Sequence, residues 1–313
     1  VSIAAPGLLG ILNPMQNPGK GIVALAFHKL PDNLHIGTSS WSSKDWLGIF
    51  YPEGTKPSDF ITYYARHFHT VEIDSTWHHM PGAKMIQSLE RRTPEEFIFS
   101  AKVPDIITHK KYLMDSDSEL KQFLDTMSLL GKKLGPLVFQ FPYVAKSKDE
   151  QEYKTGSDFL TRLKAFLPKL SRDFRYSVEV RNSNWLQAPL LDLLRKYNVA
   201  LALTAYYTMP SLDEMLRGKT DPLTADFTFI RFIGHRKQID EIIQSRIRSG
   251  EKKREFDEIV IDRSAEMRRW IPPLSRIMEK GTPAYLYFNN HYAGHGPASA
   301  RLFEKLWREI MGD

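Results

Sequence analysis

"GTSSWSSKDW", residues 37–46, separates two folds. It follows "LHIGTS" (34–39), the first β-rich run, where a doubly wound sheet would carry its phosphate turn. That turn reads G-x-G-x-x-G, because glycines let the backbone approach a pyrophosphate. Here Gly37 is followed only by hydroxyl, charged and aromatic side chains. The open sheet loses its most diagnostic element, and the repeat beyond it has to be read as something else.

Further strand-like runs follow: "TVEIDST" (70–76), "EFIFSAKV" (96–103), "PLVFQF" (136–141), "RYSVEVRN" (175–182), "VALALTA" (199–205), "FTFIRFIG" (227–234) and "AYLYFNN" (284–290). Helix-period segments lie between them. "PSDFITYYARHF" (57–68) sets Phe60, Tyr63, Tyr64 and Phe68 on one stripe. In "SDSELKQFLDTMSLLGKKLG" (116–135), Ser116 and Glu119 have capping-box spacing, and Gly131 and Gly135 mark the end. "PASARLFEKLWREI" (297–310) closes the series. Strand and helix alternate about eight times, and a (β/α)8 barrel needs about 250 residues. The expected fold is a TIM-type (β/α)8 barrel, one domain over 31–313, after an N-terminal extension at 1–30.

Composition sets outer limits. The 313 residues are 42% hydrophobic, enough for one large core. Cys is absent, which excludes disulfides, thiolate metal sites and a Cys nucleophile, and fits a cytoplasmic chain. The net charge of +6 permits anionic ligands or nucleic acid without demanding them. No apolar run is long enough for a bilayer. "VSIAAPGLLGIL" has no basic residue before it and is broken by Pro6, Gly7 and Gly10, so it makes a poor signal peptide. The mixed charges of "HRKQIDEIIQSRIRSGEKKREFDE" (235–258) read as solvated helix faces.

Barrel strands alternate their side chains between helices and interior. Val71 and Ile73 must face the helices, so Glu72 and Asp74 point inward. The same parity puts Ile98, Ser100 and Lys102 on one face, Val138 with Gln140, Glu179 with Arg181, and Arg231 with Phe227 and Phe229. Asn289 and Asn290 end the eighth run. Most of these residues fall late in their strands, at the end where barrel active sites are built. Glu72, Asp74 and Glu179 balance Lys102, Arg181 and Arg231, so the set reads either as ion pairs closing the barrel or as a ligand site. Trp41, Trp46, Trp77, Trp185, Tyr206 and Tyr207 crowd the same end. Trp41 and Trp185 are the better ligand contacts, and Trp46 reads as loop packing. "HYAGHGPAS" (291–299) reads as a turn and cap whose helix amides could hold a phosphate.

"GTSSWSSKDWLGIFYP", "FHTVEIDSTW", "FIFSAKV" with "ITH", "GPLVFQFP", "VEVRNSNW", "FIRFIG" and "YLYFNN" resemble, in order, the signatures of the DUF72 (YecE-like) family over about 34–308. The resemblance implies a TIM-type barrel and no defined reaction. It points to Trp41, Glu72, Lys102, Thr108, His109, Gln140, Glu179, Arg181, Arg231 and Asn289. The family usually carries Asn where this chain has Asp74, and an aromatic pair where it has Trp77 and His78.

Three functions follow as expectations. The first is a hydrolase-like enzyme on a phosphate-bearing or other anionic substrate, nucleic acid included. Glu72, Glu179 and His109 would be its acid–base groups. Trp41, Asp74, Lys102, Thr108, Gln140, Arg181, Trp185, Arg231 and Asn289 would contact substrate. The second is a carbohydrate-processing enzyme using Glu72 and Glu179, unless Glu179 is locked against Arg181. The third is a non-catalytic scaffold whose polar cluster satisfies itself, with the 235–270 stretch as a partner-binding arm. No organic cofactor is implied. A divalent metal would need Glu72, Asp74, Glu179 and His109 to converge, and no H-E-x-x-H spacing signals one.

Overall fold

Eight parallel strands close into a barrel in chain order, with β1 hydrogen-bonded to both β2 and β8. The structure is a computed structural model, and it describes residues 30–144, 156–218 and 221–312. All of the expected N-terminal extension except Leu30 lies outside the described residues. The strands are β1 (Leu34–Ser39), β2 (Thr70–Ile73), β3 (Ile98–Lys102), β4 (Leu134–Gln140), β5 (Tyr176–Glu179), β6 (Ala200–Tyr206), β7 (Thr228–Gly234) and β8 (Ala284–Phe288). The helices between β1 and β6 are α1 (Phe60–Tyr64), α2 (Ala83–Arg91), α3 (Asp117–Met127), α4 (Gly156–Phe166) and α5 (Ala188–Lys196). Then come α6 (Leu212–Arg217), α7 (Arg236–Arg248), α8 (Ser264–Met278), α9 (Asn290–Ala293) and α10 (Gly296–Met311). The fold is the (β/α)8 barrel that the alternation predicts.

Two apolar layers follow from strand parity. Val71, Ile73, Phe99, Ala101, Leu137, Phe139 and Val178 are buried in the layer that packs against the helices. Val138, Ala200, Ala202, Phe227, Phe229, Tyr285 and Tyr287 form a separate cluster that fills the barrel. At its floor the His35 ring stacks on Tyr285, 4.7 Å between centroids. Higher up, the Tyr287 hydroxyl bonds Thr70 Oγ1 and Ser100 Oγ, each at 2.7 Å. Above that polar layer lies the charged one.

Several local expectations need correction. α3 stops at Met127, and Gly135 belongs to β4 rather than to a helix end. A Cβ there would sit 2.6 Å from Ile98 Cγ2, so Gly135 allows β3 and β4 to approach. Ser116 makes no side-chain cap, its ψ of 15° being far from the extended backbone of a capping residue, and the Glu119 carboxylate pairs with Lys111 at 2.6 Å. The capping box that does form is Ser211 with Glu214, at the start of α6. The charged stretch is not merely solvated. α7 buries Ile239 and Ile243, and α8 buries Met267, Trp270, Ile271 and Leu274. Between them Lys252 is buried against Asp257, and Arg254 bonds the Leu47 carbonyl across the barrel mouth. These contacts make the segment a wall of the mouth rather than a free arm. Among the described residues no helix is long and apolar enough to cross a membrane.

Candidate active site

Three strands supply the centre. Arg231 on β7 donates through one terminal nitrogen to Glu179 Oε2 on β5 at 2.6 Å. Through the other it donates to Glu72 Oε1 on β2 at 2.7 Å. Arg181, just past β5, donates its Nε to Glu179 Oε1 at 2.7 Å. Glu72 and Glu179 are 0% exposed and Arg231 2%, so these charges interact in a low dielectric. Parity explains the meeting: Glu72 and Glu179 are inward positions at or next to the carboxyl ends of β2 and β5, and Arg231 is an inward position at the middle of β7.

The two glutamates occupy different electrostatic environments. Burial pushes the Glu179 carboxyl up, but Arg231 and Arg181 outweigh it and hold the group at about 2. Burial pushes Glu72 up as well, and Arg231 offsets only part of that, so its carboxyl lies above its ordinary value. Glu72 Oε2 and Arg231 Nε are buried without a hydrogen-bond partner. Glu179 has a cation on each oxygen, whereas Glu72 has one oxygen to spare.

Each cation at the rim rests on an aromatic face. Lys102 Nζ lies 4.6 Å from the Trp77 ring centroid and pairs with Asp74 Oδ1 at 3.1 Å. Arg181 lies 4.4 Å from the Tyr206 centroid. Burial pushes Asp74 up, yet Lys102 and Arg231 pull its carboxyl below the usual value.

His109 comes from an unusual element. After β3 the chain makes a π-helical turn, Ile106–Lys110, followed by positive φ at Tyr112 (48°), Leu113 (70°) and Asp115 (44°). π-turns and such backbone outliers cluster at functional sites. The turn sets the His109 ring 5.0 Å from Trp77, centroid to centroid. Thr108 Oγ1 lies 2.8 Å from His109 Nδ1 and 3.4 Å from the Pro104 carbonyl. In the tautomer with the proton on Nδ1, the Thr108 hydroxyl accepts from His109 and donates to Pro104, and the Nε2 lone pair is left for the site. Burial, then Lys102, lowers His109 to about 4, so it is neutral at pH 7.

The family model described as "Protein of unknown function DUF72" matches residues 35–311. This chain belongs to the DUF72 family. The UPF0759 protein YecE of Escherichia coli (strain K12) is 30% identical over 151 residues, 48% of this chain and 48% of that protein. The chain therefore spans about half the length of YecE in that match. The UPF0759 protein YunF of Bacillus subtilis (strain 168) is 23% identical over 292 residues, covering 89% of this chain and 96% of its own. A DUF72 crystal structure from Thermotoga maritima MSB8 superposes with TM-score 0.66 at 21% identity, covering 90% of this chain and 99% of that one. Another from Enterococcus faecalis V583 gives 0.62 at 17%, covering 88% and 95%. At these identities the two structures speak for the fold alone.

Within this DUF72 barrel the pairs above join Glu72, Arg231, Glu179 and Arg181 in one group and Lys102 with Asp74 in a second, which acts on Glu72 electrostatically, with His109 beside Trp77. Other expected residues have more local contacts. Gln140 is buried and donates to the Phe141 carbonyl at 2.7 Å. Asn289 Oδ1 accepts from His291 N–H at 2.9 Å and caps α9. Trp41 is half-buried on the first loop, where its carbonyl accepts from Tyr51. Trp185 is buried and stacks on Phe159 of α4, 4.8 Å between centroids. The first turn of α10 has its amides occupied rather than open to a phosphate. The Gly296 N–H is taken by Asn290 and the Ala298 N–H by His295, and Pro297 has none. Trp77 and Tyr206, read only as general rim aromatics, turn out to be the supports for the two cations. Their position, Trp77 in the turn after β2 and Tyr206 at the end of β6, was the available signal. Among the described residues, no three His, Asp or Glu side chains converge as a metal site.

Proposed function

We propose that this DUF72 protein is a hydrolase-like enzyme that binds a small phosphate-bearing or similar anionic substrate at the carboxyl end of the barrel. The observation that carries the reading is the unequal pairing of the two glutamates: Arg231 reaches both, and Arg181 reaches Glu179 alone. Pairs of carboxyls whose environments drive their pKa values apart are a signature of acid–base division of labour. Glu179 stays ionised and fixes Arg231. Glu72, with its free Oε2 and raised pKa, is the carboxyl able to carry a proton.

Lys102 and the terminal nitrogens of Arg181 are the groups suited to hold the anion, Arg181 in two-pronged fashion. Trp77 and Tyr206 wall the space. In the proposed step, His109 Nε2 takes a proton from water as the water oxygen bonds to phosphorus. Glu72 gives its proton to the leaving oxygen as the old P–O bond breaks. His109 then releases its proton to solvent and Glu72 takes one up, which restores both groups.

Two alternatives have less support. Glycosidase chemistry needs a second carboxylate free to act, and both Glu179 oxygens are held by arginines. A pure scaffold needs a self-satisfied cluster, and Glu72 Oε2 is not satisfied. The test is calorimetric titration with inorganic phosphate, followed by turnover of a phosphomonoester and phosphodiester panel. Phosphate binding lost in Lys102→Ala and Arg181→Ala, with turnover lost in Glu72→Gln, supports the reading. No binding and no turnover sinks it. A steep fall of affinity with salt would mark a nucleic-acid substrate.

A further inference from the structure

A second concavity lies beside the charged centre. A cavity of about 300 Å³ sits between the ends of β6 and β7 and the helices α6, α7 and α8. Small-molecule pockets begin at about this volume. Neither Glu72, Glu179 nor Arg231 lines it. The two places share the Tyr206 ring, which supports Arg181 on the cluster side and bounds the cavity.

The lining leaves hydrogen-bonding capacity of both kinds unused. Trp270 is 1% exposed, and its indole N–H has no acceptor. A buried donor left without a partner is a standing penalty that a ligand oxygen would remove. Arg269, the preceding residue, is exposed and makes no ion pair or hydrogen bond among the described residues. Two glutamates face these donors, each with one oxygen engaged. Glu214 Oε2 accepts from the Ser211 N–H and hydroxyl, both at 2.7 Å. Glu266 Oε2 accepts from Tyr292 at 3.2 Å. Their other oxygens have no hydrogen bond among the described residues. Arg263 also lines the cavity but is committed to the Tyr292 carbonyl at 3.2 Å and lies 3.9 Å from the oxygen of Glu266 that Tyr292 already holds, so the other Glu266 oxygen stays unengaged.

The charges decide the ligand class. Arg263 and Arg269 cancel Glu214 and Glu266, so a bare anion meets the glutamates and a bare cation meets the arginines. A molecule carrying both charges satisfies both. The wall toward solvent is aromatic: Tyr206 and Tyr207 are 4.5 Å apart, and Tyr207 and His235 4.1 Å. Tyr207 is 58% exposed, a large ring held open at the mouth.

We propose that this cavity is a second binding site, for a free α-amino acid or a zwitterion of that kind. Its carboxylate binds Arg269 and the Trp270 N–H, its ammonium lies between Glu214 and Glu266, and its side chain rests on the tyrosines. The site stands independently of the phosphate reading.

The test uses the full chain, titrated calorimetrically with each of the twenty L-amino acids. At least one is expected to bind saturably. Arg269→Ala, a surface change, and Trp270→Phe, which keeps a ring against Phe232 but removes the N–H, should each weaken it about tenfold or more. The N-acetyl derivative of the binder, which lacks the ammonium, should not bind. Binding of none of the twenty overturns the proposal. So does binding that survives both substitutions, or an N-acetyl derivative that binds equally well.

Discussion

Glu72 and Glu179 share one guanidinium: Arg231 reaches the first at 2.7 Å and the second at 2.6 Å. The two carboxyls face the same cation and still differ, because Arg181 adds a second positive charge to Glu179 alone. That asymmetry makes the cluster more than a set of neutralising pairs, and it sets the first expectation.

Removing the shared cation should be costly. Arg231→Ala leaves Glu179 with only Arg181 and Glu72 with no hydrogen-bonded cation, both fully buried. Breaking a buried pair costs about 3–5 kcal/mol. Glu72→Gln should cost about 1 kcal/mol, because Arg231 keeps Glu179 and the amide keeps a hydrogen bond. Urea denaturation of both variants measures the difference. Equal losses would mean that Glu72 is fully ionised and as tightly held as Glu179.

The proposed chemistry predicts a bell-shaped pH profile of kcat/KM on whichever phosphoester is turned over. Its acid limb should fall near pH 4, where His109 takes up a proton. Its alkaline limb should reflect loss of the Glu72 proton, above the ordinary carboxylate range. Glu72→Gln should lower kcat by about 10²- to 10⁴-fold and abolish the alkaline limb. His109→Ala should abolish the acid limb.

Acid should destabilise the fold in two stages. Burial, more than any charge, lowers His109 and His295 to about 4. The unfolded chain, with His near 6.5, binds these protons more readily. Their contribution is whole above about pH 6.5 and is lost as pH falls toward 4. Glu179 adds a later loss, from its unfolded value near 4.3 down to about 2. Glu72 has the opposite sign: its contribution favours the fold on the acid side and fades as pH rises through its raised value. His295→Asn keeps a cap acceptor for α10 and removes one titration, so it should flatten the first stage. Urea midpoints at pH 7 and 4.5 for both proteins decide this.

Beneath the charged layer, Tyr287→Phe should cost about 1–2 kcal/mol, because the lost hydroxyl serves Thr70 and Ser100 together. Thr70 retains its bond to the Ile98 carbonyl, which limits the loss. Thermal unfolding of the variant is the check, and an unchanged midpoint would mean that water replaces the hydroxyl.

The barrel and its inward charges were legible in "TVEIDST" because a strand's period of two admits only one face for Glu72 once Val71 and Ile73 need the helices. The same rule carried Lys102, Glu179 and Arg231. It said nothing once the strands ended. Trp185 and Trp77 occupy equivalent places after their strands, yet one packs on Phe159 and the other supports Lys102. That choice depends on which helix lies alongside, a long-range fact. The π-turn that sets His109 has no signature of its own among "IITHK". The charged 235–258 stretch misled because its apolar residues, Ile239 and Ile243, are spaced one helical turn apart among many charges.

The guanidinium of Arg231 also has a mechanical meaning. It stands on β7 and holds β2 and β5, which lie three, three and two strands apart around the closed ring. These contacts form a three-point brace across the cross-section, below the loops. The loops can then lengthen, shorten or exchange sequence without moving the groups the brace fixes, so the scaffold can change what it recognises while its centre keeps one shape.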